Sequence, residues 1–345
     1  MDKKKLERLR ANYSDKLAFE NQTEKFQKIA EDLIGDQPPK DRPKPYSGIS
    51  TFMDLPSWDM QNKDLDELDV AVIGVPMDLA VSNRAGARQG PRAVRSIERI
   101  GPYNHQTDII PSSVCRAADI GDVPFRSRYS LEQSIEDIEH FYKKIKQAGV
   151  IPLSVGGDHS VTYPILKALG EDEALALIHI DAHCDTALLS AGFGDLHGGP
   201  FRMAVLDGIL DPEKTIQIGI RGSSETIWEF SYESGMTVIH IEDFMEMGVP
   251  ALIEKTKKLI GDMPVYVSID VDGFDPAYAP GTGTPEPGGI VPREGFQFLR
   301  GLMGMNVIGA DVVEVAPMYD PTTNTAHLGA QLLFEEFCLI ADKFR

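Results

Sequence analysis

Three short stretches carry side chains that could share a metal centre. In Ile178-His179-Ile180-Asp181-Ala182-His183-Cys184-Asp185-Thr186, an apolar run leads into Asp181, His183 and Asp185 at alternate positions. Alternate side chains of an extended backbone share a face, so these three would point one way and Ala182 and Cys184 the other. Asp270 and Asp272 repeat that spacing after a second apolar run, in Ser268-Ile269-Asp270-Val271-Asp272. A third run, Ile151-Pro152-Leu153-Ser154-Val155, ends in Gly156-Gly157-Asp158-His159. Converging, the three would offer Asp181, Asp185, Asp270, Asp272, His159 and His183. Four carboxylates at such range raise one another's pKa and cannot all stay ionised without cations. Two divalent ions would balance them with both imidazoles neutral, so the set favours a two-metal centre.

Each stretch also has an ordinary reading. Asp-x-His-x-Asp can be a polar strand end, and Asp-Val-Asp before Gly273 and Asp275-Pro276 can be a turn. All three occur in one chain, each directly after a Val/Ile-rich run, and that coincidence favours the metal reading.

These stretches resemble the signatures of the ureohydrolase family of arginases, agmatinases, guanidinobutyrases, guanidinopropionases and guanidine hydrolases. The run from Ala279 to Gly289 and the segment Asp311-Val312-Val313-Glu314-Val315 fit the same pattern, so the resemblance spans roughly residues 65 to 345. It implies a binuclear hydrolase that cleaves a C–N bond of a guanidine compound to urea plus ammonia or an amine. One ion would be held by His159, Asp181, Asp185 and Asp270, and the other by Asp181, His183, Asp270 and Asp272. Two such ions lower the pKa of a shared water, and Asp185 would accept its hydrogen bond and pass the proton on. Glu314 resembles the guanidinium-binding glutamate, suited to a planar cation by two parallel charge-assisted bonds. His197, in Asp195-Leu196-His197-Gly198-Gly199, matches the position of a proton shuttle to the leaving amine. Oxygen and imidazole ligands suit Mn2+ and Ni2+ alike.

The resemblance is less specific for substrate. The loop 187–194 is apolar and has no Arg or Lys, although Arg84, Arg88, Arg126 or Arg202 could reach a carboxylate tail. Trp228, with Phe230 and Tyr232, could wall a compact cation or be ordinary packing. These features, with Gly198-Gly199-Pro200-Phe201-Arg202, look most like the branch acting on guanidine, alkylguanidines or conceivably a biguanide such as metformin. Agmatinase and guanidinobutyrase or guanidinopropionase activity are the alternatives. Departures from the agmatinase pattern stand at Cys184 and Gly273-Phe274. A partner subunit of a mixed-subunit ureohydrolase is a further alternative, though the ligand set, Glu314 and His197 are all present. A single-metal deacetylase would not need the second ligand pair.

The elements that must position these residues follow from periodicity. Apolar runs at 69–76, 151–155, 175–180, 215–220, 237–240, 265–269 and 307–313 alternate with helical patterns at about 130–148, 162–169, 248–260, 293–303 and 328–342. Continuous apolar strands imply a mostly parallel sheet covered on both faces, hence an arginase-like three-layer α/β/α domain with its site at the strands' carboxyl ends. We assign residues 1–50 to an N-terminal arm and 51–345 to one catalytic domain. In the arm, residues 1–20 are charged and expected to be poorly ordered. A helix is expected from Thr23 to Gly35, with a Pro-rich linker from Asp36 to Pro45. The Gly-rich segment 83–92 fits no phosphate-loop spacing, and the run 279–289 reads as a rigid loop buttressing the metal strand.

The net charge of −19 argues against nucleic acid and anionic membrane as partners, and beyond an ordinary solvated acidic surface it gives mild steering to a cationic substrate. No basic-apolar pattern at the start of the sequence leads us to expect a signal peptide, and no apolar run approaches the ~20 residues of a membrane span. Cys115, Cys184 and Cys338 lack ligand spacing and fit reduced thiols in a cytoplasm. Cys184 lies on the face away from the ligands, which argues against a nucleophilic role, and His179 reads as a buried structural histidine. Assembly as a homo-oligomer, trimer or hexamer, is expected from the resemblance.

Overall fold

The computed structural model describes residues 2–13, 47–98, 100–187, 197–222 and 225–345. The helix expected from Thr23 lies outside them. The chain divides into two compact units, Met1–Gly48 and Ile49–Arg345. Within the first, Lys3–Tyr13 is helical with no buried residue. Lys, Leu, Glu, Arg and Ala in this stretch are all good helix formers, and residues 14–20 of the arm lie outside the described residues.

In the second unit eight strands form one parallel sheet. They are β1 (Val70–Val75), β2 (Ala117–Asp122), β3 (Ile151–Gly156), β4 (Leu175–Ile180), β5 (Leu210–Ile220), β6 (Thr237–His240), β7 (Val265–Asp270) and β8 (Val307–Val313). Their order is β2-β1-β3-β8-β7-β4-β5-β6, and every neighbouring pair is parallel. Successive residues of β1 feed two separate cores: Val70 and Val72 join one, and Ala71, Ile73 and Val75 the other. That explains the unbroken apolar runs, since a strand buried on both faces has no polar side. Helices cover both faces, making the three-layer α/β/α architecture expected from periodicity.

Several bounds differ from the sequence reading for identifiable reasons. β2 is a partly exposed edge strand whose Ala-Ala-Asp-Ile-Gly-Asp composition carries little apolar signal. The helix expected from 248 begins at Ile241 and runs to Ile260, bending at Gly248 (φ 70°) just before Pro250. Those breakers hide its first half. The helices Pro200–Leu206 and Glu225–Ser234 are additional to those expected.

The order β3-β8-β7-β4 is what matters for the site. These four neighbouring central strands are the ones that lead into His159, Glu314, Asp270-Asp272 and Asp181–Asp185.

Candidate metal centre

β4 stops at Ile180, and Asp181 to Asp185 follow in irregular backbone, with Asp185 in the left-handed region (φ 51°). Likewise Asp270 closes β7, whereas Asp272 sits in the 3-10 turn Val271–Gly273. Strand alternation is therefore not what unites these carboxylates, as the spacing had suggested. Tight turns gather them: the Asp181 Oδ1 accepts the His183 N–H at 2.6 Å, and the Asp270 Oδ1 accepts the Asp272 N–H at 2.7 Å.

The result is two adjoining groups. His159 Nδ1 faces Asp185 Oδ2 at 2.8 Å, Asp181 Oδ2 at 3.2 Å and Asp270 Oδ2 at 3.5 Å. His183 Nδ1 faces Asp272 Oδ2 at 3.2 Å and Asp181 Oδ1 at 3.4 Å. Asp181 belongs to both groups, one oxygen to each. All six candidate ligands are thus brought together at the carboxyl ends of β3, β4 and β7. Asp270 faces the first group through Oδ2 and accepts the Asp272 N–H through Oδ1.

Hydrogen bonds behind the ligands set their tautomers. Ser268 Oγ donates to Asp311 Oδ1 at 2.6 Å, so its oxygen accepts from His159 Nε2–H at 2.9 Å. That leaves the Nδ1 lone pair aimed at three carboxylates, and this buried nitrogen has no hydrogen-bond partner. His179 behaves differently. Gln217 Nε2 donates to its Nδ1 at 3.2 Å, which puts the proton on Nε2, 2.8 Å from Asp181 Oδ2. A protonated nitrogen is no ligand, so His179 steadies Asp181 from behind. Asp272 Oδ2 also accepts from Thr284 Oγ1 at 2.9 Å, the point where the run 279–289 meets the metal strand.

The electrostatics call for cations. Burial, then Asp272 and Asp181, push Asp270 well above the usual carboxylate range. Burial and then Asp181 push Asp272 up to about 6. Asp181 and the histidines go the other way. Burial opposes charging both His159 and Asp181, yet Asp181, Asp185 and Asp270 hold the imidazole well above its ordinary value, and His179, then His159 and His183, hold the carboxyl well below its own. Protons can balance such a cluster only by crowding onto neighbouring groups. Divalent ions balance it with every carboxylate ionised, and the orphaned Nδ1 supplies a lone pair in position. The donor set fits a metal centre.

Beside the cluster stands Glu314, fully buried and in the left-handed region (φ 63°). Its N–H donates to Gly157 O at 2.9 Å, and its Oε1 accepts from the His159 N–H at 3.0 Å and from His197 Nδ1 at 2.9 Å. Its Oε2 is buried without a partner. A Cβ added at Gly283 would lie 3.5 Å from that oxygen and 3.2 Å from the Arg84 carbonyl, so bare backbone borders it. An unpaired carboxylate oxygen of this kind suits a cationic donor.

Residues outside the sequence prediction complete the site. Ser82 places its N–H 3.0 Å and its hydroxyl 2.6 Å from His197 Nε2. Asp158, named only as part of its motif, accepts from the Ala80 N–H at 2.9 Å and fixes the approach to Ser82. Arg221 donates to the carbonyls of Asp272 (2.7 Å), Gly273 (3.1 Å) and Glu286 (2.6 Å), stitching two loops beside the second group. None carried a sequence signal, because each acts across a long separation.

The aromatic residues have partners of their own. Trp228 donates to Gly222 O at 3.2 Å and packs 4.6 Å from His240, whose Nε2 meets the Tyr232 hydroxyl at 2.5 Å. Phe230 lies 4.5 Å under Arg202. Gly222 itself abuts His183, where a Cβ would come 2.6 Å from Nε2. Among the four arginines, Arg88 pairs with Asp78, and Arg126 with Glu136 and Asp137. Arg84 instead stacks 5.3 Å over Tyr319, with no carboxylate at ion-pair distance among the described residues. Cys184 is buried, and burial first pushes its thiol up to about 12, which rules out a ready thiolate.

Known proteins resemble this chain over most of its length. The family model described as the arginase family matches residues 68–338. The chain is 47% identical over 303 residues to a guanidinopropionase of Pseudomonas aeruginosa, covering 86% of this chain and 93% of that protein. It is 42% identical to a mitochondrial agmatinase of Gallus gallus, covering 85% and 86%. Among solved structures, proclavaminate amidino hydrolase from Streptomyces clavuligerus superposes with a TM-score of 0.82 at 35% identity, covering 87% of this chain and 99% of that one.

Proposed function

This chain belongs to the arginase family, and from that premise we propose that it hydrolyses the guanidino group of a short guanidino acid to urea and an amino acid. It is a hydrolase of amidino C–N bonds. The observation that carries the substrate reading is the pairing of an orphaned, buried Glu314 Oε2 with an exposed Arg84 whose backbone borders the same glycine. The first suits a guanidinium and the second a carboxylate at the other end of the molecule. The names of the relatives include a guanidinopropionase, which points the same way, and an agmatinase, and neither is named for free guanidine or a biguanide. Agmatine, cationic at both ends, would meet Arg84 as a like charge.

His159, Asp181, Asp185 and Asp270 would hold one divalent ion, and Asp181, His183, Asp270 and Asp272 the other, with Mn2+ and Ni2+ both compatible. When bound, the pair makes hydroxide available near neutral pH. The protein's own groups do the rest. Glu314 orients the guanidinium, Asp185 receives the water's proton, and His197 delivers a proton to the leaving nitrogen from the Nδ1 that faces Glu314. Glu314 raises the His197 pKa to about 9 against the opposing effect of burial, so the ring can carry that proton at neutral pH. Trp228 would serve by backing Gly222 behind His183.

We further propose a homo-oligomer, trimer or hexamer, with a mixed-subunit assembly as the alternative, in a cytoplasm. The three cysteines are free and buried, and no helix among the described residues is long and apolar enough to cross a membrane.

The test is urea release by protein loaded with Mn2+ or Ni2+, against 3-guanidinopropionate, 4-guanidinobutyrate, agmatine, arginine, guanidine, methylguanidine and metformin. Turnover led by a guanidino acid, and lost in an Arg84→Ala variant through KM, is the expected result. Turnover confined to guanidine and methylguanidine would overturn the substrate reading and leave the hydrolase intact.

A further inference from the structure

The imidazole of His197 is held at both nitrogens, and the outer contact has no role in the reaction as described so far. Ser82 N–H lies 3.0 Å from Nε2, so Nε2 presents a lone pair and the ring proton sits on Nδ1, 2.9 Å from Glu314 Oε1. The Ser82 hydroxyl reaches the same Nε2 at 2.6 Å.

This is a built contact. Ala80 N–H donates to the buried Asp158 at 2.9 Å, and Ala80 O accepts the His197 N–H at 3.3 Å. Asn83 Nδ2 then donates to Gly283 O at 3.0 Å. Residues 80–83 are thereby tied to the end of β3, to the His197 loop and to the glycine that borders Glu314. Ser82 is exposed, whereas His197 is 8% exposed.

We propose that Ser82 is a positioning residue for the hydrolysis, its N–H and hydroxyl together fixing the His197 ring so that Nδ1 faces Glu314. The inference rests on the reading of His197 as proton donor. The two Ser82 groups differ in what they allow. A backbone N–H can only donate, so it disfavours a proton on Nε2. The hydroxyl can turn from donor to acceptor, so it is the group that lets the ring hold two protons. The charged groups facing the ring are Glu314, Asp185 and Asp158, all acidic, and they favour the doubly protonated form. Removing the hydroxyl leaves the N–H opposing it without relief.

The experiment compares wild type with Ser82→Ala, Ser82→Thr and His197→Asn, all metal-loaded, on 3-guanidinopropionate or on whichever compound of the panel wild type turns over fastest. We expect Ser82→Ala to lose about 10- to 100-fold in kcat with KM changed less than about threefold. Its basic limb in the pH profile should move about one unit lower, while metal content and Tm stay at wild-type values. Ser82→Thr should recover kcat to within about threefold. A Ser82→Ala variant with wild-type kcat and pH profile, beside a slow His197→Asn, would overturn the role of Ser82 and leave that of His197. Equal losses in Ser82→Ala and Ser82→Thr without a pH shift would reduce Ser82 to a packing role. A fully active His197→Asn would overturn both readings.

Discussion

Glu314 and Asp185 are two of the few non-glycine residues at positive φ, at 63° and 51°. Such conformations cost about 1–3 kcal/mol each and persist where the surroundings over-determine them. At Glu314 that determination is visible: its N–H is held by Gly157 O, and its Oε1 takes two donors. Oε2 is left buried beside Gly283 with nothing bound to it. Glu314→Gln keeps the shape and an acceptor for the His159 N–H but removes the charge. A desolvated cation left without its counter-charge costs about 3–5 kcal/mol, so kcat/KM should fall about 10²- to 10⁴-fold with Tm little changed. Steady-state urea release beside a melting curve checks this, and a loss under tenfold would remove Glu314 from guanidinium binding.

At the scale of elements, the site depends on how loops after different strands are tied together. Arg221 follows β5 and, among the described residues, its guanidinium donates to carbonyls, including Gly219 at 3.0 Å, Asp272 and Glu286. It holds the turn after β7 against the run 279–289, whose Thr284 in turn donates to Asp272. Lysine has three donors on a flexible stem and cannot reproduce this planar set. Arg221→Lys is therefore expected to keep the fold, lower stability by about 2–4 kcal/mol, and lose metal from the His183 group first. Metal analysis should fall from two ions per subunit toward one, while an unchanged two would show that Asp272 needs no such staple.

For the whole molecule, the buried acids link stability to pH and to metal. Asp272, raised by burial and Asp181 to about 6, holds its proton more tightly folded than unfolded, where 3.8 is ordinary. Its contribution to stability is therefore full below about pH 4 and is lost as pH rises through about 6. Asp158, raised by burial and Glu314 to about 7, follows the same sign over a wider window. Divalent ions replace the protons on the ligands but not the one on Asp158. The Tm gap between metal-loaded and chelated protein should widen from pH 4 to pH 7, as calorimetry can measure. A constant gap would mean that the cluster carries no such protons.

The alternating apolar runs and helical patterns were enough to determine the three-layer α/β/α fold, because a strand buried on both faces leaves its mark in a few consecutive residues. The candidate ligands were legible locally too, since Asp, His and Gly at turn spacing after such strands are features of a few consecutive residues; that they hold metal remains the proposal. Other features were invisible to any local reading. Edge strand β2 carries too little apolar signal, and the first turns of the helix Ile241–Ile260 hide behind Gly248 and Pro250. Only the tertiary structure set β3, β8, β7 and β4 side by side, and with them every distance in the site. His159 meets Glu314 across 155 residues of chain, and Ser82 meets His197 across 115. Strand order is decided by packing both cores at once, a property of the whole chain that no window of sequence contains.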